Sequence, residues 1–401
     1  MKKEIVKLDN FGRGITYVDG KICFVDGALS GEIVKIKVVN QTKKYLLADV
    51  KDYYRLADDR IDVKCQYNDV CGGCNLNHMS LESENKFKCE KVKEILKKFG
   101  NVNDDIIKLI TCERGEKYRN KIVVHGDGNS LGFYSKGTNK VIDIEKCLLV
   151  PDKVNEVLEV LRQIALTDNI KKAIIRVSND NSEVMLSLTG EISNYFSLKN
   201  VVDVLEINGE VILGDGHIIS SIGSKKYYVS SQSFFQINNT LTKKLYDEVL
   251  NVVEQVKPKR VLDLYCGTGT IGLYIADKVN EVVGVDYSKS GINDAKDNAK
   301  LNESKNCTFI CDKVENVIDQ FSDFDMVIVD PPRAGLDLKT IEYIKKIGAK
   351  NVVYVSCDPV TLGRDLKELS NSYEILEVKP YNMFPRTYHV ECVCLLNLKQ
   401  T

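Results

Sequence analysis

The chain of 401 residues reads as a multidomain α/β protein. A small N-terminal β-barrel is followed by a mixed α+β middle and a C-terminal, doubly wound Rossmann-like domain. Three observations predict this. The first 50 residues alternate apolar and polar without a helical period, cysteines crowd between 65 and 74, and helical and strand patterns alternate from about Thr240. The length asks for two or three domains. The boundaries fall at 1–58, 59–235 and 236–401.

In the first segment, apolar alternation runs through Glu4 to Leu8, Gly14 to Val18, Lys21 to Val25, Glu32 to Val39 and Tyr45 to Val50. Asp19-Gly20, Asp26-Gly27 and Ser30-Gly31 supply the turns. About five short strands without a helix predict a barrel of the oligonucleotide-binding kind. Residues 1–60 hold 12 basic and 9 acidic side chains, a slight excess that suits RNA and a solvated surface equally. In the middle segment, Ser83 to Phe99 has the helical period, with Cys89, Val92, Leu96 and Phe99 on one face. Lysines 86, 88, 91, 93, 97 and 98 are expected on its solvated side. Hairpins are expected for 121–125 with 131–134 and for 174–178 with 183–188. A helix should start at Pro151 and bury Val154, Val157, Leu158 and Leu161. The last segment alternates: a helix with Leu241, Leu245, Val249 and Val253, then parallel strands at 260–265, 281–286, 308–311, 326–330 and 351–356, and a closing strand at 390–396.

Composition narrows the class. Hydrophobic residues make up 43% and charged residues 28%, which excludes wholesale disorder. No apolar run approaches a membrane span, and the Met1-Lys2-Lys3-Glu4 start shows no secretory signal. Thirteen cysteines then point to a reduced, cytoplasmic setting, with thiols free, metal-bound or catalytic. A net charge of −1 leaves any nucleic-acid attraction to local patches.

Residues 261–273, VLDLYCGTGTIGL, place Gly267, Gly269 and Gly272 between a buried strand and a helix, a turn that admits a nucleoside cofactor. Dinucleotide enzymes share the pattern. Asp330-Pro331-Pro332-Arg333 after the fourth strand tips the choice toward a methyl donor, because a dehydrogenase has no use for two prolines there. Ser356-Cys357-Asp358-Pro359 follows the fifth strand, so its thiol should face the same crevice. Carbon 5 of a pyrimidine needs such a thiol. Addition of a thiolate to carbon 6 makes an enolate that can take a methyl group, and a base must then remove the carbon 5 proton. Glu391, in an otherwise apolar strand, is the candidate base, its pKa raised by burial. The plainer alternative is a structural pair with Arg386 or Arg364. Cys65, Cys71 and Cys74, spaced C-x5-C-G-G-C, form a metal signal with Cys147 as a fourth ligand; the spacing suits zinc or an iron–sulfur cluster.

Together these motifs resemble the RNA uracil-5-methyltransferase family, and within it the 23S rRNA branch that carries a TRAM barrel and an iron–sulfur cluster. CGGC at 71–74, SQSFFQIN at 231–238, DLYCGTGTIGL, DPPRAGL at 330–336 and SCDP at 356–359 carry the likeness. The resemblance implies an RNA-binding TRAM barrel and a 4Fe-4S cluster on Cys65, Cys71, Cys74 and Cys147. It also implies an S-adenosylmethionine site formed by Gln236, Tyr265, Asp286, Asp312 and Asp330, with Cys357 as nucleophile and Glu391 as proton acceptor. The implied substrate is a uridine of 23S rRNA, and the implied state is a monomer without membrane association. Two departures from the family pattern stand out: Asp286 replaces the usual Glu, and Asn75 and Asn77 follow CGGC where Gln is common. Methylation of tRNA uridine, methylation of cytosine, and an RNA-binding factor with a redox-sensing cluster are the competing readings. The remaining cysteines (23, 89, 112, 266, 307, 311, 392 and 394) are expected to be packing residues.

Overall fold

The computed structural model describes residues 1–108, 112–128 and 130–400. Its N-terminal sheet has six strands, one more than the alternation predicts, because the first apolar run splits. Lys2–Glu4 pairs with Ile33–Gln41, whereas Lys7–Leu8 pairs with Gly14–Val18. These two short strands are the opposite edges of the sheet, and the corner at Ile5-Val6 joins them, so one bent strand closes the barrel. Ile5 N–H donates to the Glu32 carbonyl (2.9 Å) and Val6 N–H to that of Ile15 (2.9 Å), which satisfies both edges. Glu32, fully buried at the barrel's end, pairs with Arg60 beyond it.

The middle of the chain forms a seven-stranded sheet whose two expected hairpins, Lys121–Gly126 with Leu131–Tyr134 and Asn169–Val177 with Val184–Glu191, lie side by side. The helix after Pro151 spans Asp152–Ile164 and buries Val154, Val157, Leu158 and Leu161 as the periodicity requires. Each such side chain contributes about 1.5–3 kcal/mol. A separate hairpin, His217–Ile222 with Lys225–Ser230, was not legible in the pattern.

The C-terminal sheet runs in the spatial order 307–311, 281–286, 260–264, 326–329, 351–356, 391–398, 373–381. Its first five strands are parallel, as expected. The closing strand, Glu391–Leu398, is antiparallel, and it inserts between Asn351–Ser356 and an edge strand, Tyr373–Tyr381, that the sequence reading missed. Helices cover both faces, and both faces of the central strands are buried. One covering helix comes from far upstream. Leu81–Gly100 is capped by the Ser80 hydroxyl and packs Val92 and Leu96 against Leu362, Leu366 and Leu369. Here the expectation of a uniformly solvated lysine face fails. Lys88 is fully buried and Lys91 only 8% exposed, because both point into the C-terminal domain.

Candidate active site

Parallel register brings the crevice together. Leu264 aligns with Val285 and Val329, Asp286 with Cys311, and Val329 with Tyr354. Tyr265, Asp286, Asp312, Asp330 and Cys357 therefore all stand at, or one step past, the carboxyl ends of neighbouring strands. On the antiparallel side the last pair is Ser356 with Cys392, so Cys357 and Glu391 are the next step of the same ladder. The two residues chosen for chemistry are neighbours by register.

Their charges interact. Burial pushes the Glu391 carboxyl up to about 8, the charge of Asp330 adds to the rise, and Arg333 opposes it. Burial, and then the charge of Asp286, raises Asp330 to about 7. The Cys357 thiol rises to about 12 through burial and through Glu391 and Asp330, again against Arg333. The alternative pairing of Glu391 is contradicted. Arg364 bonds to Asp365 and to the Ala334 and Leu336 carbonyls, while Arg386 bonds to the Met79 carbonyl and lies near Glu84. Among the described residues no ion pair reaches Glu391, which is 4% exposed.

The glycine turn shapes the cofactor side. Asp286 accepts hydrogen bonds from the N–H groups of Gly267 (3.0 Å) and Ser288 (2.8 Å), so the shorter acid is locked against the turn. Gly267 has φ +55°, and a Cβ there would meet nothing within 4 Å, leaving open space beside the backbone. Tyr265 also has positive φ (63°), and its hydroxyl lies 3.3 Å from Thr340 Oγ1 and 3.4 Å from Asp337. Asp312 donates its N–H to the Asp286 carbonyl, and its carboxylate accepts from Lys313 and Asn316. Gln236 is buried, and its carbonyl accepts from Asn120 (2.9 Å).

Cys65, Cys71, Cys74 and Cys147 line one cavity of about 300 Å³ with Arg119 and Arg386. None of the four is in a disulfide, and burial raises Cys74 to about 12 and Cys147 to about 11, with the neighbouring thiols adding to both. Among the described residues no three His, Cys, Asp or Glu side chains come close enough together to hold a single metal ion. Of the eight cysteines expected to pack, Cys311 is exposed and Cys307 half-buried; the other six are buried. Sequence reasoning gave no role to Arg333, the cation that acts on both Cys357 and Glu391, although it quoted the motif that contains it. It also assigned Lys88, which stands i,i+4 to Glu84, to a solvated face, although both side chains are fully buried.

A doubly wound sheet with a glycine turn, an acid after each of three strands and a thiol after the fifth defines a methyltransferase-type crevice. Comparison with known proteins agrees. Residues 220–399 match the tRNA (Uracil-5-)-methyltransferase family and residues 4–51 the TRAM domain. An uncharacterized RNA methyltransferase of Staphylococcus epidermidis is 31% identical, covering 99% of this chain and 97% of its own. Another, from Clostridium acetobutylicum, is 33% identical over 96% of this chain and 94% of its own. The crystal structure of Pyrococcus abyssi tRNA (uracil-54, C5)-methyltransferase in complex with S-adenosyl-L-homocysteine superimposes with a TM-score of 0.83 at 26% identity, covering 99% of this chain and 100% of that one. The chain belongs to the RNA uracil-5-methyltransferase family, whose members are S-adenosylmethionine-dependent enzymes with RNA substrates. No helix among the described residues is long and apolar enough to cross a membrane.

Proposed function

We propose that the chain methylates carbon 5 of a uridine in 23S rRNA, with Cys357 as nucleophile and Glu391 as proton acceptor. The observation that supports this most is the register that sets Cys357 and Glu391 side by side, with Asp330 acting on both. Bound S-adenosylmethionine supplies an electrophilic methyl group on a cationic sulfur. Gln236, Tyr265, Asp286, Asp312 and Asp330 would hold it; the open space at Gly267 and the acids at the strand ends suit a cationic nucleoside.

The Cys357 thiol loses its proton to solvent, its sulfur bonds to carbon 6 of the uracil, and the carbon 5–carbon 6 π electrons move to the carbonyl oxygen on carbon 4. Carbon 5 takes the methyl group as the bond from that methyl to its sulfur breaks. Glu391 then removes the carbon 5 proton. The double bond re-forms, and the bond between Cys357 and carbon 6 breaks to release the thiolate. A thiol raised to about 12 is a poor nucleophile until it loses its proton. A cation bound next to it, together with Arg333, lowers that barrier.

Cys65, Cys71, Cys74 and Cys147 would hold a 4Fe-4S cluster. The four thiols open onto one cavity, and among the described residues no three of them close on a single ion, which suits a polynuclear guest better than zinc, whose bonds of about 2.3 Å draw the sulfurs close together. Iron with equimolar acid-labile sulfide in anaerobically purified protein is the expected result, and zinc without sulfide contradicts it. A tRNA substrate is the second reading. The Pyrococcus abyssi enzyme aligns along nearly the whole of this chain, barrel included, so the barrel does not by itself select rRNA.

The test is methyl transfer from labelled S-adenosylmethionine to unmodified rRNA and tRNA, followed by nucleoside analysis. Label in 5-methyluridine from 23S rRNA is expected. Label in tRNA alone supports the second reading, and 5-methylcytidine refutes both.

A further inference from the structure

Asn382 to Val390 turns the chain from the edge strand into the strand that starts at Glu391. Groups from distant parts of the molecule hold this turn almost residue by residue. Lys88 Nζ donates to Asn382 Oδ1 (2.6 Å), to the Phe384 carbonyl (3.0 Å) and to Glu84 (2.8 Å). The Glu84 carboxylate accepts from Asn382 Nδ2 (2.9 Å) and, through both oxygens, from the Arg386 N–H (3.0 Å). Lys91 donates to the Tyr388 carbonyl (2.8 Å), Tyr118 to that of Pro385 (3.0 Å) and Asn238 to that of Met383 (3.1 Å). The N–H groups of Asn75 and Leu76, directly after Cys74, both donate to the Arg386 carbonyl (2.9 and 3.0 Å).

Glu84 and Lys88 are both fully buried. A buried ion pair is a poor source of stability, since apolar residues of equal volume often do as well or better, but it can impose one geometry on what it touches. Here it touches the turn at three residues, including Arg386, whose φ of +69° is uncommon for a side chain of that size. Water would satisfy the same backbone groups in an ordinary surface loop. The chain instead spends two buried charges on fixing the segment that ends one residue before Glu391.

We propose that Glu84 and Lys88 are positioning residues whose buried pair clamps the 382–390 turn and so presents Glu391 to the crevice beside Cys357. This rests on the assignment of Glu391 as the proton acceptor. The helix Leu81–Gly100 thereby acts in a step carried out more than 290 residues downstream, as the 294-residue separation of Lys88 and Asn382 measures.

The test replaces the pair as a unit, Glu84→Leu with Lys88→Met, so that no lone charge stays buried. The double variant should fold, bind S-adenosylhomocysteine as the parent does and show no rise in KM for RNA. Its kcat should fall about 100-fold, the cost of an ångström-scale misplacement. The covalent protein–RNA adduct should accumulate, because elimination is the step that needs Glu391. Glu84→Gln, which keeps the shape and one acceptor oxygen, should lose less kcat and show faster amide exchange at Arg386. A folded double variant with full kcat, a loss confined to KM, or Glu84→Gln with unchanged exchange and kcat overturns the clamp. Glu391→Gln separates the two claims. Full turnover in Glu391→Gln removes the base assignment and the clamp with it, whereas a slow Glu391→Gln beside a fast double variant removes the clamp alone.

Discussion

Cys357 and Glu391 illustrate how a residue gains chemistry from its place. Neither is unusual in isolation, yet burial and shared charge push the carboxyl up to about 8 and the thiol to about 12. A base must be ionised to accept a proton, so elimination from the preformed adduct should accelerate with pH, about tenfold per unit below pH 8, and level off above it. The ramp should vanish in Glu391→Gln; rapid-quench measurement of adduct decay from pH 6 to 9 checks both, and a flat profile in the parent contradicts the assignment. The placement of these two residues in one crevice was legible in the sequence, because the chemistry of carbon 5 asks for a thiol and a base and few polar positions end an apolar strand. Lys88 was not. Six lysines on one helix look alike until tertiary structure turns one toward Asn382, and no local period records that.

At the scale of elements, the turn between the first C-terminal strand and its helix depends on Gly269, whose φ is +73°. A Cβ there would lie 2.7 Å from the Phe309 ring and 3.0 Å from Ala295. Gly269→Ala should therefore weaken S-adenosylhomocysteine binding at least tenfold and cost about 1–3 kcal/mol of stability, through strain rather than lost contacts. Calorimetric titration and thermal melting read the two effects, and parent-like binding contradicts the account. The five parallel strands were legible because strands buried on both faces read as continuous apolar runs bounded by turn residues. The edge strand Tyr373–Tyr381 was not: a bulge between Ile375 and Glu377 breaks its period of two, Pro380 interrupts it, and the closing strand that separates it from the rest of the sheet lies later in the chain. The barrel was read one strand short for a related reason, since a corner at Ile5-Val6 breaks one apolar run between two sheet edges.

The whole molecule converges on one turn. The barrel reaches it through Phe11, whose ring meets Tyr388 edge-on at 5.1 Å. The cysteine segment reaches it through Asn75 and Leu76, the upstream helix through Glu84, Lys88 and Lys91, and the middle segment through Tyr118. Parts that the sequence separates as RNA-binding, metal-binding and catalytic thus share contacts around the strand that bears Glu391. On this account, uridine methylation proceeds through a covalent bond between Cys357 and the RNA that only Glu391 can resolve. The most direct measurement is denaturing gel electrophoresis of the parent, Glu391→Gln and Cys357→Ala with labelled RNA and S-adenosylmethionine. The account predicts a stable protein–RNA adduct in Glu391→Gln and none in Cys357→Ala. An adduct that persists in Cys357→Ala, or its methyl transfer at the parent rate, would contradict it.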